Sequence, residues 1–113
     1  MRMMLRLQMP TEVANAAIQD GRFSKVMGEM MDRLKPEAAY FTSFAGDRCG
    51  FIVFDMQHPS DIPSICEPFF FTVGAKVDIQ PAMTAEDVQA GLAKANINQL
   101  SDHVGSLSGA NSK

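Results

Sequence analysis

Hydrophobic and polar positions first alternate along this chain and then switch to a spacing of three and four. Between residues 2 and 9, Met3, Leu5, Leu7 and Met9 share one parity, while Arg2, Met4, Arg6 and Gln8 share the other. That period of two predicts a strand with one apolar and one mixed face. A short helical segment after Pro10 and Thr11 is interrupted at Gly21, and then Phe23, Val26, Met27, Met30, Met31 and Leu34 recur as the stripe of an amphipathic helix. Pro36 disfavours the helical conformation at Lys35, so this helix is expected to stop there.

Two strand-like runs follow, AAYFTSFA and CGFIVFDM, separated by Gly46, Asp47 and Arg48, which suit a tight turn and predict a hairpin. The second run is apolar on both parities, Phe51 and Val53 against Ile52 and Phe54, which suits a central strand. Ser60 offers a helix N-cap with Asp61 and Pro63 in the first turn, and Ile62, Ile65 and Phe69 supply a buried edge. Pro68 is expected to shorten or kink that helix. Residues 76 to 83 alternate again until Pro81 ends regular pairing. Thr84 with Asp87 resembles a capping box opening a last helix, with Val88 and Leu92 on one side and Gly91 weakening it.

The order strand, helix, strand, strand, helix, strand, then an extra C-terminal helix predicts an α+β, ferredoxin-like βαββαβ sandwich of two layers. Its first and third strands belong in the middle of the sheet. The helices cover one face, so Met4, Arg6, Gln8, Phe51, Val53, Asp55, Asp78 and Gln80 fall on the other, with apolar residues at its centre. A second copy of the chain is the simplest cover for such a face. The folded domain is expected over residues 1–97, with a small, polar, flexible tail over 98–113.

At 113 residues and 46% hydrophobic, the chain is the size of one ordinary domain with its own core. Ten basic residues against thirteen acidic leave a net charge of −3, without the broad positive field that drives phosphate-backbone binding, so no nucleic-acid partner is expected. No apolar run approaches the roughly 18 to 20 residues that span a bilayer, and Arg2 and Arg6 interrupt the apolar start. The expectation is a cytoplasmic protein with no membrane partner, in which Cys49 and Cys66 are reduced and mostly buried. Neither cysteine sits in a zinc-ligand spacing, and no metal or cofactor is expected.

The element order, with PEAAYFT on the second strand, GFIVFDM on the third, PSDIP opening the second helix and VDIQPAMTAEDV at the fourth strand, resembles the dimeric α+β barrel superfamily. Within it, the likeness is to small, uncharacterised bacterial proteins, and it covers roughly residues 2 to 92. The resemblance implies a homodimer whose two sheets face each other. It further implies a barrel that binds a small apolar or aromatic ligand, or acts on one as a cofactor-independent isomerase or monooxygenase. No catalytic motif of those enzymes maps onto named positions here, and fold analogy alone does not license an activity. The alternative is a non-enzymatic dimerisation module.

The candidate pocket residues each carry a functional and a structural reading. A guanidinium at Arg6 on the bare face supplies rigid charged donors to an anionic or enolate group, or else pairs with Asp78 or Asp55. Asp55 or Asp78 serves as a general base only if burial raises its pKa, whereas a neighbouring Arg lowers it. Gln8 joins the same face. His58 follows the third strand with a near-neutral pKa suited to proton transfer, and its competing reading is a solvated loop residue. Tyr40, the sole Tyr, lies on a strand whose parity the sequence leaves ambiguous. Met27, Met30 and Met31, with Phe69 to Phe71, suit either a flat apolar ligand or the core. Three adjacent aromatics on one helix cannot all face one layer, so at least one is expected outside it.

An RNA-recognition domain is the third reading, since it shares this element order and GFIVF fits the end of its aromatic strand motif. Asp47, Arg48 and Cys49 stand where a basic residue, Gly and an aromatic are required, and Met4 replaces a stacking ring on the first strand. Phe51 is therefore assigned to the dimer face.

Overall fold

The computed structural model describes residues 1–96. Its elements run β1 (Arg2–Met9), α1 (Thr11–Gln19), α2 (Arg22–Leu34), β2 (Ala38–Phe44), β3 (Asp47–Asp55), a short 3-10 turn (Pro59–Asp61), α3 (Ile62–Val73), β4 (Lys76–Pro81) and α4 (Ala85–Ala95). The strands form one antiparallel sheet in the order β2-β3-β1-β4, so the first and third strands occupy the centre, as in the ferredoxin-like βαββαβ arrangement.

The alternation in β1 directs Met3, Leu5, Leu7 and Met9 into the core, each no more than 4% exposed. Ile52 and Phe54 of β3 join them from the neighbouring strand. The helical layer closes over this face with Ala14 and Ala17 of α1, Val26, Met27 and Met30 of α2, and Ile65, Phe69 and Val73 of α3. Met27 and Met30 are thus core residues, and Met31 packs partly buried against them. Of the three adjacent phenylalanines, Phe69 is fully buried while Phe70 and Phe71 are 42% and 86% exposed.

Three local expectations are corrected. The hairpin turn is made by Ala45 and Gly46, with φ of +52° and +83°, and Asp47 already belongs to β3 opposite Phe44. A two-residue loop with both residues left-handed matches the twist of antiparallel strands, so the chain turns one position earlier than its polar residues suggest. The second correction concerns the start of α3. Ser60 lies inside the 3-10 turn rather than capping the helix, and the His58 N–H instead donates to the Asp61 carboxylate at 3.2 Å. The third is that Pro68 does not shorten α3, which continues through it to Val73 and stops at the left-handed Gly74. The carbonyl of Ser64, which loses its helical donor because Pro68 has no N–H, accepts from Arg33 at 2.9 Å.

The break between α1 and α2 falls where Gly21 takes a φ of +86°, and the Asp20 carboxylate accepts from the Arg22 backbone N–H at 3.0 Å. That backbone bond, with the Arg22 guanidinium beside it, holds the Asp20 carboxyl below its usual range. Cys49 and Cys66 are both buried free thiols.

The chain divides into two compact units, the first Met1–Ala82 and the second beginning at Met83. In the second, Thr84 Oγ1 accepts from the Asp87 N–H at 3.1 Å and the Asp87 carboxylate accepts from the Thr84 N–H at 2.9 Å, the reciprocal capping box. Val88 and Leu92 of α4 are 40% and 49% exposed. The expected tail over 98–113 lies outside the described residues. Among the described residues, no helix is long and apolar enough to cross a membrane.

Candidate functional site

The face of the sheet opposite α1, α2 and α3 carries the mixed parity of β1, and the ladder registers determine which side chains stand beside one another. Arg6 pairs with Phe51 of β3 on one side and Asp78 of β4 on the other, and Phe51 pairs with Tyr40 of β2. A single row, Tyr40, Phe51, Arg6 and Asp78, therefore crosses all four strands. The row beside it is Ala38, Val53, Met4 and Gln80. Met4, Arg6, Phe51, Asp78 and Gln80 line a shallow groove of about 240 Å³.

Arg6 is the pivot of this groove. Its Nε donates to Asp78 Oδ2 at 3.1 Å, its Nη2 contacts the same oxygen, and its guanidinium carbon lies 4.5 Å from the centroid of the Phe44 ring. One side chain is thus held by a charge-assisted fork from β4 and by a cation–π contact from β2. Side-chain exposures of 34% for Arg6 and 58% for Asp78 leave the pair open to solvent in the single chain, where such pairs contribute little to stability.

The remaining candidates separate by position. Gln8 is on the same face but is tied to the end of the hairpin, its Nε2 donating to Asp47 Oδ2 at 3.1 Å, while Thr11 Oγ1 reaches the other carboxylate oxygen at 3.3 Å. Tyr40 stands beside Phe51 and is 71% exposed, which resolves the parity of β2 in favour of the bare face. Asp55 occupies the far end of that face, opposite Arg2, and accepts from the N-terminal ammonium at 2.6 Å and from Gln57 at 2.7 Å. The ammonium, more than Gln57 or Arg2, holds its carboxyl below the usual range, the opposite of the shift that the general-base reading needs. His58 lies beyond β3 at the entry to the 3-10 turn and does not line the groove.

Met4 and Gln80 shape the groove although only their parity marked them beforehand. Phe44 was missed as a partner of Arg6, because a turn placed at residues 46 to 48 hides the two-residue loop that puts Phe44 on this face. Cys49 shares the same parity but is only 1% exposed, and burial pushes its thiol up despite the opposing charge of Arg6. Among the described residues, no three His, Cys, Asp or Glu side chains gather to hold a metal ion.

A family model for a domain of unknown function, DUF3303, matches residues 1–96. The chain belongs to the DUF3303 family. The match spans both compact units, from β1 through α4. No curated protein matches this DUF3303 chain. Among solved structures, it is similar to a de novo designed protein, Ferredog-Diesel, at 15% identity and a TM-score of 0.39, with 70% of this chain and 81% of that one covered.

Proposed function

We propose that this DUF3303 domain is a homodimeric α+β barrel in which two copies join through the bare sheet faces and enclose a small pocket for an uncharged apolar or aromatic ligand. The supporting observation is the row Tyr40, Phe51, Arg6 and Asp78, with Met4 and Val53 alongside, which sets apolar side chains at the centre of the sheet face opposite α1, α2 and α3. Covering them with a second sheet removes that apolar area from water, and the isologous geometry of a two-fold dimer brings each row against its own copy. Within such an interior, Tyr40 and Phe51 supply ring faces. The charge of Arg6 is already matched by Asp78, which favours a neutral guest over an anion.

The dimeric α+β barrel superfamily includes proteins of this assembly, and the reading places the chain among them as a soluble, cytoplasmic binding protein without a cofactor. The second reading, a dimerisation module with no ligand, is favoured by one observation: Asp78 and Phe44 already occupy the guanidinium of Arg6.

Thermal unfolding at several protein concentrations tests the assembly, because association stabilises the folded state by mass action. The midpoint is expected to rise with concentration in the wild type and to lose that dependence in Phe51→Lys. Added 1-naphthol is expected to raise the wild-type midpoint and to raise that of Tyr40→Ala less. A concentration-independent midpoint together with salt-dependent binding of single-stranded RNA contradicts both readings.

A further inference from the structure

On the opposite side of the sheet, two hollows adjoin at the pair Phe23 and Phe41. One, of about 320 Å³, is lined by Phe23, Met27, Gly28, Met31 and Phe41. The other, of about 390 Å³, shares Phe23 and Phe41 and extends to Arg48. Together they form a trough between α2 and the edge strand β2, apolar at one end and cationic at the other.

Three features of this trough are unexplained by folding alone. Gly28 sits inside α2, where glycine is a poorer helix former than alanine, yet a Cβ at that position meets nothing within 4 Å. Packing among the described residues therefore does not require glycine there, and the space above the helix at that point is open. Phe41 is 56% exposed although it lies on the helix-covered side of the sheet, paired with Gly50. The Arg48 side chain forms no hydrogen bond or ion pair with any described residue, while its neighbour Asp47 is engaged by Gln8 and Thr11.

We infer that the trough binds a medium-chain aliphatic carboxylate, its alkyl chain lying over Gly28 between Phe23, Phe41 and the thioethers of Met27 and Met31, and its carboxylate at Arg48. Thioethers and aromatic edges accommodate a flexible alkyl chain without demanding one shape. A guanidinium with no partner among the described residues gives the head group a forked donor. The hollows lie at the small end of the range for ligand sites, which suits a single unbranched chain. This site is separate from the groove around Arg6, on the other face of the sheet.

Calorimetric titration of the full chain with octanoate and with 1-octanol tests the assignment. Octanoate is expected to bind about tenfold more tightly than the alcohol, and Arg48→Gln to reduce it to the alcohol's level. Gly28→Leu fills the trough with a better helix former, so it is expected to keep its circular dichroism spectrum while losing both ligands; Gly28→Ala, a smaller intrusion, is expected to weaken both partially. Absence of octanoate binding, equal affinity for acid and alcohol in the wild type, or binding that survives both Gly28 substitutions overturns the proposal. So does a loss of octanoate selectivity in Arg6→Gln with none in Arg48→Gln, which assigns the carboxylate to the opposite face. Phe51→Lys, which probes the dimer, is expected to leave octanoate binding intact, so the two proposals fail separately.

Discussion

Arg33 of α2 donates to the backbone carbonyl of Ser64 in α3 at 2.9 Å, and its other terminal nitrogen contacts the Ser64 hydroxyl. In an uninterrupted helix that carbonyl accepts from the residue four positions on, but that residue is Pro68. A side chain from the neighbouring helix thus replaces a missing main-chain donor, joining α2 to α3 and allowing α3 to run through its proline.

The two positions are therefore coupled. Arg33→Ala is expected to cost about 1 kcal/mol, below the usual range for a charged donor because the contact is exposed to water. In a Pro68→Ala background, where the helical N–H is restored, the same substitution is expected to cost measurably less. Urea unfolding of the double-mutant cycle reads the difference, and equal costs in the two backgrounds contradict the account.

The hairpin turn leaves room for improvement. Ala45 takes a φ of +52°, a region that costs an ordinary L-residue roughly 1–2 kcal/mol and that asparagine tolerates better. Ala45→Asn is expected to raise stability by about 0.5–1 kcal/mol, and Gly46→Ala, at a φ of +83°, to lower it by about 1 kcal/mol. Chemical denaturation measures both.

Gly50 and Phe41 provide a case in which the sign of one substitution depends on another residue. A Cβ at Gly50 comes within 3.0 Å and 3.2 Å of two ring carbons of Phe41, so Gly50→Ala is expected to push the ring outward at a cost of about 1 kcal/mol. With Phe41→Ala the clash disappears and only the lower chain entropy of alanine remains. Gly50→Ala is then expected to stabilise by about 0.5 kcal/mol.

The buried thiols make an alkaline limit. Burial pushes both above the ordinary value of 9.0, Cys66 further assisted by the adjacent Glu67 and Cys49 opposed by Arg6. Below that value the folded and unfolded chains both keep these protons. Above it the unfolded chain releases protons that the folded chain still holds, so stability falls as pH rises from about 9 through the folded values. The slope of unfolding free energy between pH 8 and pH 10 is expected to be shallower in the Cys49→Ala, Cys66→Ala double variant than in the wild type.

Much of the fold is legible in the sequence because burial here follows simple periods. The element order, with the strand order usual for it, and the doubly apolar third strand lead to a sheet with β1 and β3 at its centre, and the spacing of Val26, Met27 and Met30 leads to the core face of α2. The candidate site was legible only in part. Arg6, Phe51 and Asp78 follow from parity, but the parity of Tyr40 and the role of Phe44 depend on the length of one turn. That turn is set by the left-handed conformation of Ala45, a residue whose chemistry gives no warning of it. The passage of α3 through Pro68 was hidden for a related reason: the donor that makes it possible, Arg33, comes from a different helix, and no local pattern reports such a contact.

The central claim is that two copies close over the row Tyr40, Phe51, Arg6 and Asp78. Sedimentation equilibrium of the wild-type chain at micromolar concentration tests it most directly. The account predicts a particle of twice 12.3 kDa that falls to 12.3 kDa in Phe51→Lys. A wild-type particle of 12.3 kDa across that range contradicts it.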